Sequence, residues 1–141
     1  MKRRSLMLLI AGWPIAAQAH SFKLGAINIG HAWALPSQQT DGQVFMPILN
    51  TGKAADSLVG ARSDAAGLIE LRKNNRYDDP PLKEFVLEPG KPFPMRPTAY
   101  HLRLVGLSKP LVKGDKIKIM LDFLNAGEIE IEVHVQEKSA E

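Results

Sequence analysis

The feature that most constrains this chain is the alternation of apolar and mainly polar residues through residues 100–135. Side chains along a strand point to opposite faces in turn, so this pattern predicts strands with one buried face. Turn signals at Lys113–Gly114–Asp115 and Asn125–Ala126–Gly127 divide the run. The sequence therefore predicts three short strands joined by two turns as an antiparallel meander.

The earlier part of the chain adds further short strands. A change of phase at Gly25–Ala26 predicts a bulge, and Pro47 implies an edge or bulge in a strand over residues 43–49. Ser63 or Asp64 is expected to cap a single helical turn before another strand at residues 68–72. About seven short strands without a long amphipathic helix predict an all-β, antiparallel β-sandwich.

Residues 1–19 have the composition of a secretory signal peptide. Three basic residues (2–4) precede an apolar stretch (6–17) that is too short to cross a bilayer, and Ala17–Gln18–Ala19 forms a cleavage site. We expect export to the bacterial periplasm, and no membrane span after signal removal. No cysteine follows the cleavage site, so we expect no lipid anchor. The mature chain would comprise one domain at residues 20–135 and a charged C-terminal end at 136–141.

Composition excludes several functions. The chain has 18 basic and 15 acidic residues, and three of the basic residues lie in the predicted signal peptide, which leaves 15 of each. A balanced charge does not favour nucleic acid as a partner. The absence of cysteine excludes thiolate ligands, including those of blue-copper electron carriers. No His-Glu-x-x-His motif or nucleophile elbow is present, so we do not expect an enzyme.

The run from residue 101 to residue 135 resembles the C-terminal half of periplasmic copper chaperones of the PCu(A)C type. The segment Asn50–Thr51–Gly52 and residues 56–60 extend the resemblance over nearly the whole mature chain. It implies a cupredoxin-like Greek-key sandwich and a role in binding or delivering copper. In the family, the copper passes to a protein partner, the copper centre of cytochrome oxidase. The family positions matched in the run are Gly106, Leu107, Pro110, Leu111, Gly114, Asp115, Phe123 and Gly127.

The resemblance also implies where copper ligands would lie. The family has a histidine where this chain has Arg72, and a His-x-Met pair where it has His101 and Arg103. A further family methionine is missing from residues 74–85, and Met95 falls at an apolar position. A guanidinium offers no lone pair, and at ~4 Å and an effective dielectric of 20 its charge would cost about 4 kcal/mol, roughly a thousandfold in affinity. We therefore expect the usual Cu(I) site to be degraded.

The chain's histidines differ in their expected roles. His101 lies on the outward face of its strand, where we expect a surface or hydrogen-bonded residue more than a ligand. His134 is expected on a solvated face, and His31 is expected to pack or cap beside Trp33. If cleavage follows residue 19, His20 has an α-amino group and an imidazole that together chelate Cu(II). The candidate metal ligands are therefore His101 and His20.

Two functions remain open from the sequence. The first is a copper chaperone-like protein that binds or delivers copper in the periplasm. The second is a ligand-depleted relative that binds a protein or an anion, with Arg72 and Arg103 as exposed cations suited to a carboxylate. Proximity of both arginines to His101 would indicate a converted site. An Arg103 that points away, with His20 near His101, would indicate a rearranged copper site.

Overall fold

The computed structural model describes residues 21–137, so the predicted signal peptide, His20 and residues 138–141 lie outside the described range. Residues 21–137 form strands, turns and loops. They contain no helix that is long and apolar enough to span a membrane. The strands are β1 (Phe22–Leu24), β2 (Ile27–Ile29), β3 (Trp33–Ala34), β4 (Asp41–Phe45), β5 (Ile48–Asn50), β6 (Asp56–Arg62), β7 (Ala66–Arg72), β8 (Phe85–Leu87), β9 (Pro92–Phe93), β10 (His101–Leu107), β11 (Lys116–Phe123) and β12 (Gly127–Val135).

The strands form two sheets. The smaller sheet has the order β1-β2-β5-β9, and the larger has the order β7-β10-β4-β3-β12-β11-β6-β8. Because β6 also contacts β7, the larger sheet curls towards a barrel. Among the named strands of residues 21–137, β3 and β12 pair in parallel and every other pair is antiparallel. The predicted all-β sandwich is confirmed.

The core follows the alternation seen in the sequence. Ile119, Leu121 and Phe123 of β11 are buried, and the alternate residues of β11 lie towards solvent. Leu102 and Leu104 of β10 are also fully buried. Each buried aliphatic or aromatic side chain of this kind stabilises the fold by about 1.5–3 kcal/mol relative to an exposed one. The faces predicted for these strands are therefore confirmed.

The predicted three-strand meander is wrong in its first strand. β11 and β12 form the predicted hairpin, but β10 pairs with β4 and β7. Three strands lie between β10 and β11 in the larger sheet. The loop that connects β10 to β11 forms an isolated β-bridge on its way, from Leu111 to Ser37. This crossing is the Greek-key connection. Alternation within a segment fixes which face is buried, but it carries no information about the neighbouring strand.

Two local predictions in the first half of the chain also need correction. The phase change at Gly25 is the tight turn of the β1–β2 hairpin, where Gly25 has a φ of 56°, and not a bulge. Glycine reaches this left-handed region at little cost. The strand predicted across Pro47 is broken there, because β4 belongs to the larger sheet and β5 to the smaller one.

The predicted helical turn near Ser63 is absent from the described chain. Ser63 instead fastens the turn between β6 and β7: its hydroxyl accepts a hydrogen bond from the Ala65 amide at 3.1 Å and donates one to the Lys118 carbonyl at 2.6 Å. A serine that is suited to capping a helix is equally suited to holding a turn. The bond to Lys118 ties this turn to β11.

Candidate functional site

The positions that the resemblance links to copper lie on one outer face of the larger sheet. In the antiparallel register, His101 of β10 stands opposite Arg72 of β7, and Arg103 stands opposite Glu70. Residues directly opposite each other in such a pair share a face. The loop from residue 73 to residue 84 reaches over this face and adds Tyr77. We call the following set the polar cluster: Gln43, Glu70, Arg72, Tyr77, His101 and Arg103.

His101 is the buried centre of the polar cluster. Its Nδ1 lies 2.8 Å from the Ala99 carbonyl oxygen, and because a carbonyl only accepts, Nδ1 carries the hydrogen. Its Nε2 accepts a hydrogen bond from the Tyr77 hydroxyl at 2.8 Å. The expectation of a hydrogen-bonded histidine is confirmed, but His101 is fully buried and not outward-exposed, because Tyr77 and its loop cover this face.

Gln43 of β4 extends the hydrogen bonding around His101. Its side-chain amide donates to the Tyr77 hydroxyl at 2.9 Å and to the Pro97 carbonyl at 2.9 Å, and it lies 3.2 Å from Nε2 of His101. Tyr77 therefore accepts from Gln43 while it donates to His101. The bonds run in one direction, from Gln43 through Tyr77 and His101 to the carbonyl of Ala99. A buried chain of hydrogen bonds of this kind holds the Tyr77 hydroxyl and the His101 ring in place.

The environment keeps the His101 ring neutral. Burial lowers the pKa of His101 below its ordinary value of 6.5, and the positive charges of Arg72 and Arg103 act in the same direction. The hydrogen bond to the Ala99 carbonyl opposes this shift. The neutral ring has its lone pair on Nε2, the atom that faces Tyr77.

Both arginines of the polar cluster are paired with carboxylates. Arg72 donates to Oε1 of Glu70 from Nε at 3.0 Å and from Nη2 at 2.7 Å. Arg103 donates to the same Oε1 at 3.3 Å and to Oδ2 of Asp41 at 3.2 Å. The expectation of exposed cations is wrong, because the side chains of Arg72 and Arg103 are only 5% and 20% exposed. The two positive charges face two carboxylates, Glu70 within the polar cluster and Asp41 beside it, so the cluster together with Asp41 is close to neutral.

The polar cluster, as arranged, offers Cu(I) no open donor. Thioether and imidazole donors suit Cu(I), but the cluster contains no sulfur, and the His101 lone pair receives the Tyr77 hydrogen bond. Within residues 21–137, no three or more His, Asp or Glu side chains are grouped so as to hold a metal ion. The residues at these positions therefore do not fit the site that the resemblance implies. His20, the other candidate ligand, lies outside the described residues.

Sequence reasoning did not identify Tyr77 or Gln43 as members of the site. Tyr77 lies in a polar segment without periodicity, and Gln43 reads as an ordinary strand residue. The one available signal is the aromatic side chain itself, because the ring of an isolated tyrosine in a polar loop is expected to pack against a neighbouring surface. Here that surface is Arg103, whose guanidinium carbon lies 4.0 Å from the Tyr77 ring centroid.

Solved structures share this fold. The copper-bound PCuAC domain from PmoF2 is 26% identical, with a TM-score of 0.75 over 84% of this chain and 99% of that domain. The Cu(I) form of DR1885 from Deinococcus radiodurans is 18% identical, with a TM-score of 0.65 over 86% of this chain and 84% of that one. The predicted cupredoxin-like fold is thereby confirmed.

Sequence comparison gives the family. A protein of Leifsonia xyli subsp. xyli named "Putative lipoprotein Lxx21020" is 28% identical over 131 residues, which span 89% of this chain and 79% of that protein. The LpqE-like family model matches residues 27–135, which is most of the chain. This range includes every strand of the larger sheet and the whole polar cluster. The chain belongs to the LpqE-like family.

Proposed function

We propose that this protein is an exported, copper chaperone-like protein of the PCuAC type that works in the bacterial periplasm. The observation that carries the proposal is the likeness to the copper-bound domain from PmoF2, which extends over 99% of that domain. Export is supported by the composition of residues 1–19 and by the lipoprotein names of the family and of the Leifsonia relative. In this role the protein would receive copper and pass it to a protein partner.

The polar cluster is not the place where we expect Cu(I) to bind. Copper at His101 would have to displace the Tyr77 hydroxyl from Nε2 and would then lie near two guanidinium groups. At an effective dielectric of 20, each charge at ~4 Å costs about 4 kcal/mol before the nearby carboxylates offset it. We therefore propose that the usual Cu(I) site has been converted into a closed ion-paired cluster. His20 is the candidate ligand that this conversion leaves intact.

A second candidate function is a docking module that carries no copper. What favours it is the closed state of the polar cluster, in which Oε1 of Glu70 accepts from both Arg72 and Arg103 and Nε2 of His101 accepts from Tyr77, so that no donor is left open to copper. Because Glu70 and Asp41 already neutralise the two arginines, a free anion would gain little there. The copper-free alternative is therefore the recognition of a protein partner, and an anion is the less favoured ligand.

The test of the proposed function is a Cu(I) competition titration against a chromogenic chelator. The protein is recovered from the periplasm of an expression host, and its N-terminus is determined by mass spectrometry. Binding at nanomolar affinity or tighter that survives His101→Ala supports a copper chaperone-like role outside the polar cluster. A loss of binding in His101→Ala would show that the polar cluster opens for copper. No competition at micromolar protein would favour the copper-free module.

A further inference from the structure

A groove of about 570 Å³ opens on the outer face of β11, and no residue of the polar cluster lines it. Its walls come mainly from the turn between β6 and β7, from the loop that connects β10 to β11, and from β11 itself. Its volume lies within the range of about 300–1,000 Å³ that is typical of pockets that hold a ligand. We call it the lysine groove, after Lys109, Lys116 and Lys118.

Hydrogen bonds fasten the walls of the lysine groove to one another. The Ser63 hydroxyl donates to the Lys118 carbonyl at 2.6 Å, which joins the β6–β7 turn to β11. The Ser108 amide donates to the Ala65 carbonyl at 3.0 Å, which joins the same turn to the β10–β11 loop. Walls that are already fixed lose little conformational entropy when a partner binds, so the groove is preorganised for binding.

The lysine groove also has an apolar lining. Leu111 belongs to the core and lines the groove, and Ile117 and Met120 of β11 line it as half-buried residues. Pro110 is exposed in the β10–β11 loop and lines it as well. The burial of an aliphatic side chain against such a surface is favourable, and the apolar stems of the lysines can add to the contact.

The three lysines of the groove lack an acidic partner. Within residues 21–137, no carboxylate forms an ion pair with Lys109, Lys116 or Lys118, and all three residues are exposed. Glu132 of β12 stands opposite Lys118 in the register, but its Oε1 lies 3.3 Å from Nε2 of His134. The lysine ammonium groups are therefore open to an acidic group from outside.

Carboxylates also line the lysine groove, but fewer of them are uncommitted. Asp115 accepts a hydrogen bond from the Val112 amide at 3.0 Å and so belongs to its own turn. Asp64 and Glu130 form no ion pair in the described chain, and the fourth cation of the groove, Arg62, is paired with a carboxylate of β12. Three unpaired lysines therefore face two unpaired carboxylates, which favours an incoming acidic group over a basic one.

We propose that the lysine groove docks a segment of a protein partner in which an apolar side chain lies beside acidic residues. The apolar side chain covers Leu111 and Met120, and the carboxylates pair with the lysines. Exposed charge pairs of this kind speed association and select the partner more than they tighten the complex, which suits a partner that must leave again. The inference rests on the proposed function, which requires a protein partner, and deepens it by naming the surface that receives one.

The test follows the binding of probe peptides to the exported protein by NMR. The first probe is a short blocked peptide in which leucines alternate with pairs of glutamates. We expect it to bind at about 1 mM or tighter and to shift the amide signals of Ala65, Ser108 and Ile117. One matched peptide has lysine in place of glutamate, and another has serine in place of leucine. Each should bind at least about fivefold more weakly, because it lacks either the charge or the apolar contact.

Charge reversal in the groove identifies the lysines as the contact. Lys116→Glu/Lys118→Glu should weaken binding of the glutamate–leucine peptide about tenfold or more, because two attractive contacts become repulsive. The matched control is Lys53→Glu/Lys83→Glu, which changes the net charge equally at exposed lysines outside the groove. At 0.1 M salt it should leave the affinity within about twofold, because distant charges are screened.

Several outcomes would overturn the proposal. One is the absence of binding at millimolar glutamate–leucine peptide, and another is equal binding of either matched peptide. Shifts confined to residues outside the groove would also contradict it. Concentration-dependent shifts of the groove signals in the protein alone would show that the groove receives a second copy of this chain and not a different partner.

A parallel Cu(I) titration separates this inference from the proposed function. Lys116→Glu/Lys118→Glu should bind Cu(I) with the affinity of the parent protein. A parent protein that binds copper but not the peptide overturns the lysine groove and leaves the copper chaperone-like role standing. A parent protein that binds the peptide but no copper leaves the groove standing and favours the copper-free module.

Discussion

Arg103 places its guanidinium carbon 4.0 Å from the centroid of the Tyr77 ring, so a cation covers the face of the ring whose hydroxyl bonds to His101. Tyr77 is therefore held in two independent ways, through its ring and through its hydroxyl. It is also the residue of the 73–84 loop that covers the buried His101. Tyr77 thus holds the polar cluster closed, and its removal should expose the cluster.

Replacing Tyr77 separates the contributions of its ring and its hydroxyl. Tyr77→Phe keeps the ring over Arg103 but removes the donor to Nε2 of His101, so we expect the free energy of unfolding to fall by about 1–2 kcal/mol. Tyr77→Ala also removes the ring and its cation–π contact, and we expect a total loss of about 2–4 kcal/mol. Urea denaturation of both variants measures the difference.

Tyr100→Phe is the matched control for this comparison. Tyr100 is 39% exposed and lies outside the polar cluster, so we expect its variant to unfold within about 0.5 kcal/mol of the parent. If Tyr77→Phe is as stable as the parent, the hydroxyl does not stabilise the buried His101 ring.

The buried His101 should make stability depend on pH. Burial, with help from the charges of Arg72 and Arg103, lowers its pKa in the folded protein below the ordinary value of 6.5, although the bond to the Ala99 carbonyl opposes the shift. On acidification the ring therefore takes up a proton in the unfolded chain first. The free energy of unfolding should then fall as the pH drops below 6.5, by at most about 1.4 kcal/mol per pH unit, until the folded pKa is reached.

Urea denaturation between pH 5 and pH 8 tests this dependence. Other groups also titrate in this range, so the informative quantity is the difference between the parent and His101→Gln. Glutamine cannot take up the proton, and we expect the parent to lose more stability than this variant on acidification. Parallel curves for the two proteins would show that His101 titrates at the same pH in the folded and unfolded states.

Much of the fold follows from the sequence, because alternation along a strand is a geometric consequence of its period of two. It correctly assigns Ile119, Leu121 and Leu104 to the core. The order of the strands in the sheet does not follow from the sequence. β10 and β11 are consecutive in the sequence but have three other strands between them in the sheet, and neither strand carries a residue that identifies its neighbour.

The candidate site, too, can be predicted only in part from the sequence. The resemblance brings Arg72, His101 and Arg103 together, and the structure confirms that they share one face. It gives no reason to place Tyr77 over them, because that contact depends on the path of an irregular loop.

Asp56 should be among the most important polar residues for stability. Its buried carboxylate accepts hydrogen bonds from the backbone amides of Ser57 at 2.7 Å, Asn125 at 2.8 Å and Ala126 at 3.0 Å. It thereby fixes the turn that joins β11 to β12. Asp56→Ala leaves these amides without their acceptor, and we expect the free energy of unfolding to fall by about 2–4 kcal/mol.

Thermal and urea unfolding of Asp56→Ala measure this loss, with Asp64→Ala as the matched control. Asp64 is exposed in the turn between β6 and β7, so we expect a change within about 0.5 kcal/mol. Equal stability of the two variants would mean that water replaces the carboxylate in the β11–β12 turn.

Restoring the ligand types that the resemblance implies tests whether the polar cluster occupies a former copper site. The double variant Arg72→His/Arg103→Met, together with the native His101, would present two imidazoles and a thioether on one face. It also removes two positive charges, each of which costs about 4 kcal/mol at ~4 Å and an effective dielectric of 20. We expect Cu(I) affinity in a chelator competition to rise by roughly a thousandfold or more over the parent.

The double variant has a matched control, and its effect on the free energy of unfolding can be measured. Arg62→His alters an exposed arginine that pairs with Glu128 on another part of the sheet, and it should leave Cu(I) affinity unchanged. In the double variant, Glu70 loses both of its arginine partners, so we expect unfolding to become easier by about 3–5 kcal/mol. Copper should recover part of that stability, because an ion that binds only the folded state favours it. A folded double variant without a gain in Cu(I) affinity would mean that positions 72 and 103 do not mark a copper site in this chain.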